Sequence, residues 1–442
     1  MEARGAAPLP AAGREGDGVS ARLDELERLG AHDVRARLAT AREIEAQSRA
    51  EHDTEAVMRA RLVAADMLHR LGHGAEGARI AVQVNDWAET AGARQVLARS
   101  HLVLSSVMDG IGDRTGALDH AIRALRLADE QTPARVRGNY LLRLADALAL
   151  NESTEDARRR YREAEQVFVE LGDRERRLNV LNNLTVLEYE SGDVAAALST
   201  AERLFAMSTP EELNPACADS IARARLHGGD LDGAEQVARL GLDLWRSTGD
   251  VQASTPVELG LTLAEVLLAR GRVAEAEKEV AWCLDLCRDR SLGGMRVDAL
   301  RVRAEVLAAW GRYEDAYRVH REFHESWVAV RSSQQVAATR TRQALFEAEE
   351  ARRDADRFRE QAHTDALTGL ANRRRVNAEL PVMLRRGAAN GVPVATAIVD
   401  LDHFKAVNDT FSHQIGDEVL RRVAAMLAAT AADGELAARL GG

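Results

Sequence analysis

The chain repeats itself with a period near forty residues over most of its length. The clearest pair sets Ala264-Glu-Val-Leu-Leu-Ala-Arg-Gly-Arg-Val-Ala-Glu-Ala276 against Ala304-Glu-Val-Leu-Ala-Ala-Trp-Gly-Arg-Tyr-Glu-Asp-Ala316. The closing alanine recurs as Ala78, Ala117, Ala157, Ala197 and Ala234. Five positions before it stands a turn residue: Gly112, Gly192, Gly229, Gly271 and Gly311, with His73 and Glu152 as departures. Twelve positions before it the residue is small (Ser105, Ala145, Thr185, Ala222, Ala264, Ala304), with Asp66 as the exception. A glycine that takes positive φ ends a first helix, and two small residues let a second helix return close to it. One such hairpin cannot bury its own apolar stripe, so the units must stack.

This frame resembles the tetratricopeptide (TPR) family in a longer-repeat form. It covers residues 21–325, with clear units from about residue 50, and the degenerate first unit is expected to act as the cap. The resemblance implies an α-solenoid with an unknown protein or peptide ligand in its groove. A passive scaffold is the bland alternative.

Residues 1–20 are rich in Ala, Gly and Pro without an apolar core, which predicts a disordered tail and no signal peptide. No apolar run is long enough to span a bilayer, so a cytoplasmic protein without membrane contact is expected. The net charge of −11 argues against a general nucleic-acid binder. Cys283 and Cys287 stand one helical turn apart without further Cys or His at metal-site spacing, so they read as core residues.

Residues 326–362 leave the repeat frame and carry no Pro or Gly, which predicts a helical connector. Ala337, Thr341, Ala344, Ala348, Ala351, Ala355, Phe358 and Ala362 follow alternating steps of four and three, the seam of a coiled coil. The seam is mostly alanine, so any dimer through it is weak; a single solvated helix fits the same pattern.

The last eighty residues hold the chemistry. Val392 to Val399 is an apolar run rich in β-branched residues, which predicts a buried strand ending at Asp400-Leu-Asp402. A carboxylate at a strand tip suits a divalent metal. Then come Phe404-Lys405, Asn408 and His413, and Asp417 where a helix is expected to begin at Gly416. That helix would carry Ile415, Val419, Val423, Met426 and Leu427 on one side. Upstream, Asp365-Ala-Leu-Thr-Gly-Leu reads as a structural turn before a helix opened by Asn372, Arg373 and Arg374.

These blocks, with the closing strand Ala438-Arg-Leu-Gly-Gly442, resemble the GGDEF family of diguanylate cyclases. The resemblance implies a mainly α chain: TPR-like α-solenoid, helical connector, then at residues 363–442 the N-terminal half of an α/β GGDEF (nucleotide-cyclase-like) domain. It further implies synthesis of cyclic di-GMP from two GTP by a homodimer formed through the GGDEF domain and connector. Asp400 and the Leu401 carbonyl would hold Mg²⁺ (or Mn²⁺), with Asp402 alongside. Lys405 would be the catalytic cation, and Phe404, Asn408, His413 and Asp417 would bind GTP.

The chain reaches the glycine pair of the family signature without the acidic residues that follow it, so the 442-residue chain is expected to be inactive. Its closing strand is expected to have an exposed edge. The inhibitory Arg-x-x-Asp of many members is replaced by Ala432 and Glu435. The competing expectation is a non-catalytic TPR interaction protein whose degenerate GGDEF domain receives GTP or a cyclic dinucleotide.

Overall fold

The repeat slots translate directly into helical hairpins. In the computed structural model, which describes residues 18–28, 33–209, 213–248, 254–432 and 435–441, two helices come first: α1 (Val19–Arg28) and α2 (Val34–Ala50). Seven hairpins follow. Three of them pair α3 (Thr54–Arg70) with α4 (Gly74–Ala91), α5 (Arg94–Gly110) with α6 (Arg114–Leu127), and α7 (Ala134–Leu150) with α8 (Thr154–Glu170). The next pair α9 (Arg174–Glu190) with α10 (Val194–Ala206) and α11 (Pro215–His227) with α12 (Leu231–Thr248). The last pair α13 (Thr255–Ala269) with α14 (Val273–Asp289) and α15 (Gly293–Ala309) with the start of α16 (Tyr313–His363).

Local chemistry sets the ends of these helices. Asp53, Asp113, Asp173 and Asp193 cap α3, α6, α9 and α10, each side chain accepting from the amide three residues on. At the A-to-B turns, Gly112, Gly192, Gly229, Gly271 and Gly311 all take φ between 74° and 82°, where a Cβ is penalised. Glu152 fills the same slot at φ 61° without being glycine. In the first unit the left-handed residue is Gly72, and His73 instead precedes α4 in an ordinary conformation. The frame therefore slips by one residue there.

The two small slots face each other. Ser105 Oγ donates to the Ala117 carbonyl at 2.8 Å, joining the slots of one unit, and Ala78, Ala117, Ala157, Ala197, Ala234 and Ala276 are wholly buried. Their small volume is what permits the close approach. Cys283 and Cys287 lie in this core, and burial pushes both thiols above their ordinary range.

Three expectations need correction. The first unit is not the end of the array: α1 and α2 cover it, with Leu23, Leu26 and Ile44 packed against α3. The expected tail falls at residues 1–17 outside the described residues, while Val19 already sits buried in α1. The connector is helical as expected but does not stand alone, because α16 runs unbroken for 51 residues from the last repeat.

The chain divides into two compact units that meet between Ala348 and Glu349. Inside the first, the middle of α16 returns to the early repeats. Thr341 and Ala344 are buried, Leu345 joins the cluster of Leu62, Val96 and Val103, and Arg342 Nη2 donates to the Ile111 carbonyl at 2.7 Å. Thr341 and Ala344 of the alanine seam are thus covered by the array itself, while Ala337 upstream of them is exposed. No helix among the described residues is long and apolar enough to cross a membrane.

In the second unit, β1 (Ala371–Asn372), α17 (Arg373–Asn390), α18 (Phe404–Phe411), α19 (His413–Thr430) and β2 (Ala438–Arg439) follow the end of α16. β1 and β2 pair in parallel, with Ala371 opposite Ala438 and Asn372 opposite Arg439. The closing strand therefore has a parallel partner on one side, delivered by the Asp365–Asn372 turn, and among the described residues its other edge is unpaired.

Candidate functional site

Asp365 builds the entrance to this unit. Its Oδ1 accepts from the Thr368 amide at 3.0 Å, the Thr368 hydroxyl at 2.7 Å and Arg439 Nη1 at 3.1 Å. Burial works against ionisation, yet these donors hold the carboxyl below its usual range. Asn372 donates Nδ2 to the Ala362 carbonyl at 2.8 Å, while its Oδ1 accepts from the Arg375 amide and caps α17. The block ties the end of α16 to the strand pair.

The run from Val392 to Val399 is not a buried strand. Among the described residues it has no ladder partner, and Ile398 and Val399 are 87% and 66% exposed. An apolar strand is stable only with neighbours for its amides and its faces. Asp400, Asp402 and Lys405 are exposed, and none of the three has an ion-pair or hydrogen-bond partner among the described residues.

The turn after Asp400 is defined. The Phe404 amide donates to the Leu401 carbonyl at 3.3 Å, and His403 enters α18 with φ 57°. The Leu401 oxygen thus already accepts one bond and keeps a second lone pair. Asp400, Asp402 and the Leu401 carbonyl are hard oxygen donors, the kind that hold Mg²⁺ together with substrate phosphates. The fit is partial: no group of three His, Cys, Asp or Glu side chains converges as a metal cluster among the described residues.

Helices α18 and α19 form a tight hairpin. A Cβ built at Gly416 would lie 1.9 Å from Asn408 Oδ1 and 3.3 Å from the Phe404 ring, so Gly416 is the floor on which both side chains rest. This sets Asn408 next to the backbone that carries Asp417. α19 begins at His413, three residues before the expected start, which moves Asp417 out of the first turn. The expected apolar side of α19 is split: Val419, Val423 and Leu427 are half-buried, whereas Ile415 and Met426 are exposed. Downstream, Glu435 Oε2 accepts from the Ala432 amide at 2.9 Å, so the two residues in the place of the inhibitory motif close a local turn.

Residues 362–442 match the family model described as "Diguanylate cyclase, GGDEF domain". This segment is a GGDEF domain. Over 91 residues the chain is 45% identical to the response regulator PleD of Caulobacter vibrioides, covering 21% of this chain and 20% of that protein. Over 84 residues it is 39% identical to the diguanylate cyclase DgcP of Pseudomonas aeruginosa, covering 19% and 12%. The chain thus spans a fifth or less of the length of these relatives. The helical array is similar to a signal transduction ATPase with a tetratricopeptide repeat sensor from Pyrococcus horikoshii (TM-score 0.51, 9% identity, 72% of this chain and 54% of that one). It is also similar to aspartyl phosphate phosphatase F of Bacillus subtilis (TM-score 0.50, 12% identity, 70% and 87%). At these identities the likeness shows the fold alone: a TPR-like solenoid ahead of the GGDEF domain.

Sequence reasoning missed Gly416 as the floor under Asn408 and Phe404. The signal was present, since a glycine early in a helix is costly unless something approaches its Cα.

Proposed function

We propose that this is a cytoplasmic signalling protein whose GGDEF domain makes cyclic di-GMP from two GTP under control of the repeat array. The observation that carries this reading is the α18–α19 hairpin, which sets Asn408 on Gly416 beside Asp417 and just after the open carboxylates of Asp400 and Asp402. With Oδ1 turned to Gly416, the Asn408 Nδ2 is left to donate to guanine O6, and the Asp417 carboxylate accepts from N1–H and N2–H₂. Adenine mismatches that edge. Phe404 and His413 line the nucleotide, and Lys405 in the first turn of α18 offsets charge on the phosphates. Asp400 and the Leu401 carbonyl would hold Mg²⁺ (or Mn²⁺), which when bound polarises the phosphate oxygens. One domain holds one GTP, so two copies must face each other, and a homodimer through the GGDEF domain and connector follows.

The 442-residue chain by itself is expected to release no pyrophosphate from GTP, because among the described residues the loop carrying Asp400 is anchored by no ladder on its 392–399 side. In a form extended through the full family signature, Asp400→Asn is expected to lower the rate of cyclic di-GMP formation about a thousandfold, the order expected for a lost metal ligand. Asn408→Ala is expected to raise KM for GTP and narrow the preference over ATP. Most of the activity surviving in Asp400→Asn would overturn the metal assignment. Tight GTP binding without turnover in the extended form would favour a nucleotide receptor.

A further inference from the structure

The second helices of the array turn one side towards the hairpin that follows. That side is marked by the residue after the closing alanine and by the residue seven further on. On α8 these are Arg158, whose Nε lies 3.6 Å from Glu188 Oε1 on α9, and Glu165, which accepts from Arg177 Nε on α9 at 3.1 Å. On α10 they are Leu198 and Phe205. A Cβ at Gly228, which ends α11, would lie 2.7 Å from Leu198 Cδ1, and the Arg225 guanidinium of α11 lies over the Phe205 ring at 5.1 Å. On α14 the first is Glu277, which accepts from Arg303 Nε on α15 at 3.0 Å. In each of these units the next first helix covers this side.

On α16 the same two slots hold Tyr317 and His324, and the helix runs on with no first helix to cover them. With Tyr313, His320 and Trp327 they form a stripe at steps of four and three along one side of the helix. All five are exposed. The His324 ring stacks on Trp327 with centroids 6.1 Å apart, and Arg331 lies over Trp327 at 5.0 Å, so the rings are already ordered. Trp310, at the C-terminal cap of α15, extends the patch.

The chain holds five Trp and five Tyr. The four exposed ones all belong to this end of the array: Trp310 is 45% exposed, Tyr313 72%, Tyr317 67% and Trp327 40%. The other six are buried or half-buried. Single exposed apolar residues need no explanation, whereas a contiguous patch marks an interaction site, and Tyr and Trp carry most interface energy. A solenoid end that faces water has a polar outer side. Here α1 and α2 cover one end, and the other presents rings.

We propose that this end of the array is a homodimer interface, in which the aromatic stripe of α16 packs against the same stripe of a second copy across a two-fold axis. Tyr and Trp rings carry no charge, so the stripe meets its own copy without repulsion. At 150–250 Å² per aromatic side chain, the four exposed rings offer on the order of 450 Å² per copy, so two copies with the flanking His320, His324 and Val328 reach the ~1,000 Å² a specific interface needs. Thr341 and Ala344 further along α16 are taken by the array, which leaves the stripe as the part of this helix free for a partner. The proposal deepens the homodimer reading above and rests on it for its meaning in signalling. Association is measured without GTP, so failure of the cyclase assay leaves it standing.

The test is sedimentation of the 442-residue protein over a concentration series. A dimer with Kd on the order of 10 µM is expected, as suits an interface near the lower size limit. Tyr317→Glu and His324→Glu set like charges across the axis and are each expected to raise Kd at least about tenfold. Melting temperatures should stay within about 2 °C, because Glu277 and Glu165 already fill those slots in other repeats. Ala351→Glu, on the alanine seam, is expected to change nothing. Oxidation should join Tyr317→Cys into a covalent dimer but not Arg318→Cys, one residue round the helix, since Cys217, Cys283 and Cys287 are buried. A wild-type monomer at about 100 µM overturns the proposal and leaves the face to a different protein or to none. So does a dimer that neither glutamate variant weakens, or one lost in Ala351→Glu alone, which would place the contact at the seam.

Discussion

Asn408 rests on Gly416 with its side-chain oxygen where a Cβ of any other residue would stand. Gly416→Ala is therefore expected to push Asn408 aside and, in a form with a complete signature, to raise KM for GTP by about tenfold or more, on the order of one lost charge-free base contact. The kcat at saturation should change less. A KM within twofold of the parent would show that Asn408 is not held by this contact.

The buried stretch of α16 offers a second test. Thr341 and Ala344 lie against the early repeats, and Arg342 spans 231 positions of sequence to reach Ile111. Ala344→Glu places a charge in that interface and is expected to free this part of α16. Faster amide exchange across residues 337–348 and stronger self-association through the alanine seam should follow. Unchanged exchange would mean that the contact contributes nothing.

Glu152 occupies a left-handed turn that the six other repeats give to glycine. Glu152→Gly should remove a backbone penalty of about 1 kcal/mol, less the extra freedom glycine has when unfolded, leaving a rise in melting temperature of a degree or two. Calorimetry decides it, and a fall in stability would show that the Glu152 side chain does more than close a turn.

The histidine pair of the second hairpin predicts a pH dependence. His101 on α5 and His120 on α6 face each other at 2.9 Å between Nδ1 atoms, one donating and one accepting, so the two cannot both be charged. Burial first, then His120 and Arg123, hold His101 down to about 4, against the weaker pull of Asp119 and Glu89. Burial and Arg123 lower His120 as well. Unfolded histidines take up protons near pH 6.5, whereas the folded pair resists until lower pH. Stability from this pair is therefore complete above about 6.5 and declines as pH falls towards 4. Melting temperatures of the wild type and His101→Gln over that window should converge at low pH.

Much of the array was legible because its code is steric. A turn that needs positive φ writes glycine, and a close helix crossing writes alanine, so the seven units could be read from Ala78 to Ala316. Helices α1 and α2 were harder to place, since they lack that turn and pack through ordinary Leu and Ile. The slot of Arg158, Leu198, Glu277 and Tyr317 stayed hidden for the opposite reason. Its residues vary between repeats, and only the packing reveals that they face the next unit. In the GGDEF domain, the residues Asp400, Asn408 and Asp417 were assigned by resemblance alone, whereas the Val392–Val399 strand was not realised, because an apolar run does not announce whether a neighbour is there to pair with it.

The unbroken course of α16 changes how modules of this kind can be recombined. From Tyr313 to His363 there is no loop to cut, and a junction anywhere along it severs intrahelical hydrogen bonds and leaves bare helix ends. Fusing a different output to this array is thus a matter of helical phase. Inserting seven residues keeps the downstream face within about 20° of its original direction, whereas inserting two turns it by about 200°. A junction in this helix is therefore chosen by counting residues, in steps that preserve its seven-residue phase.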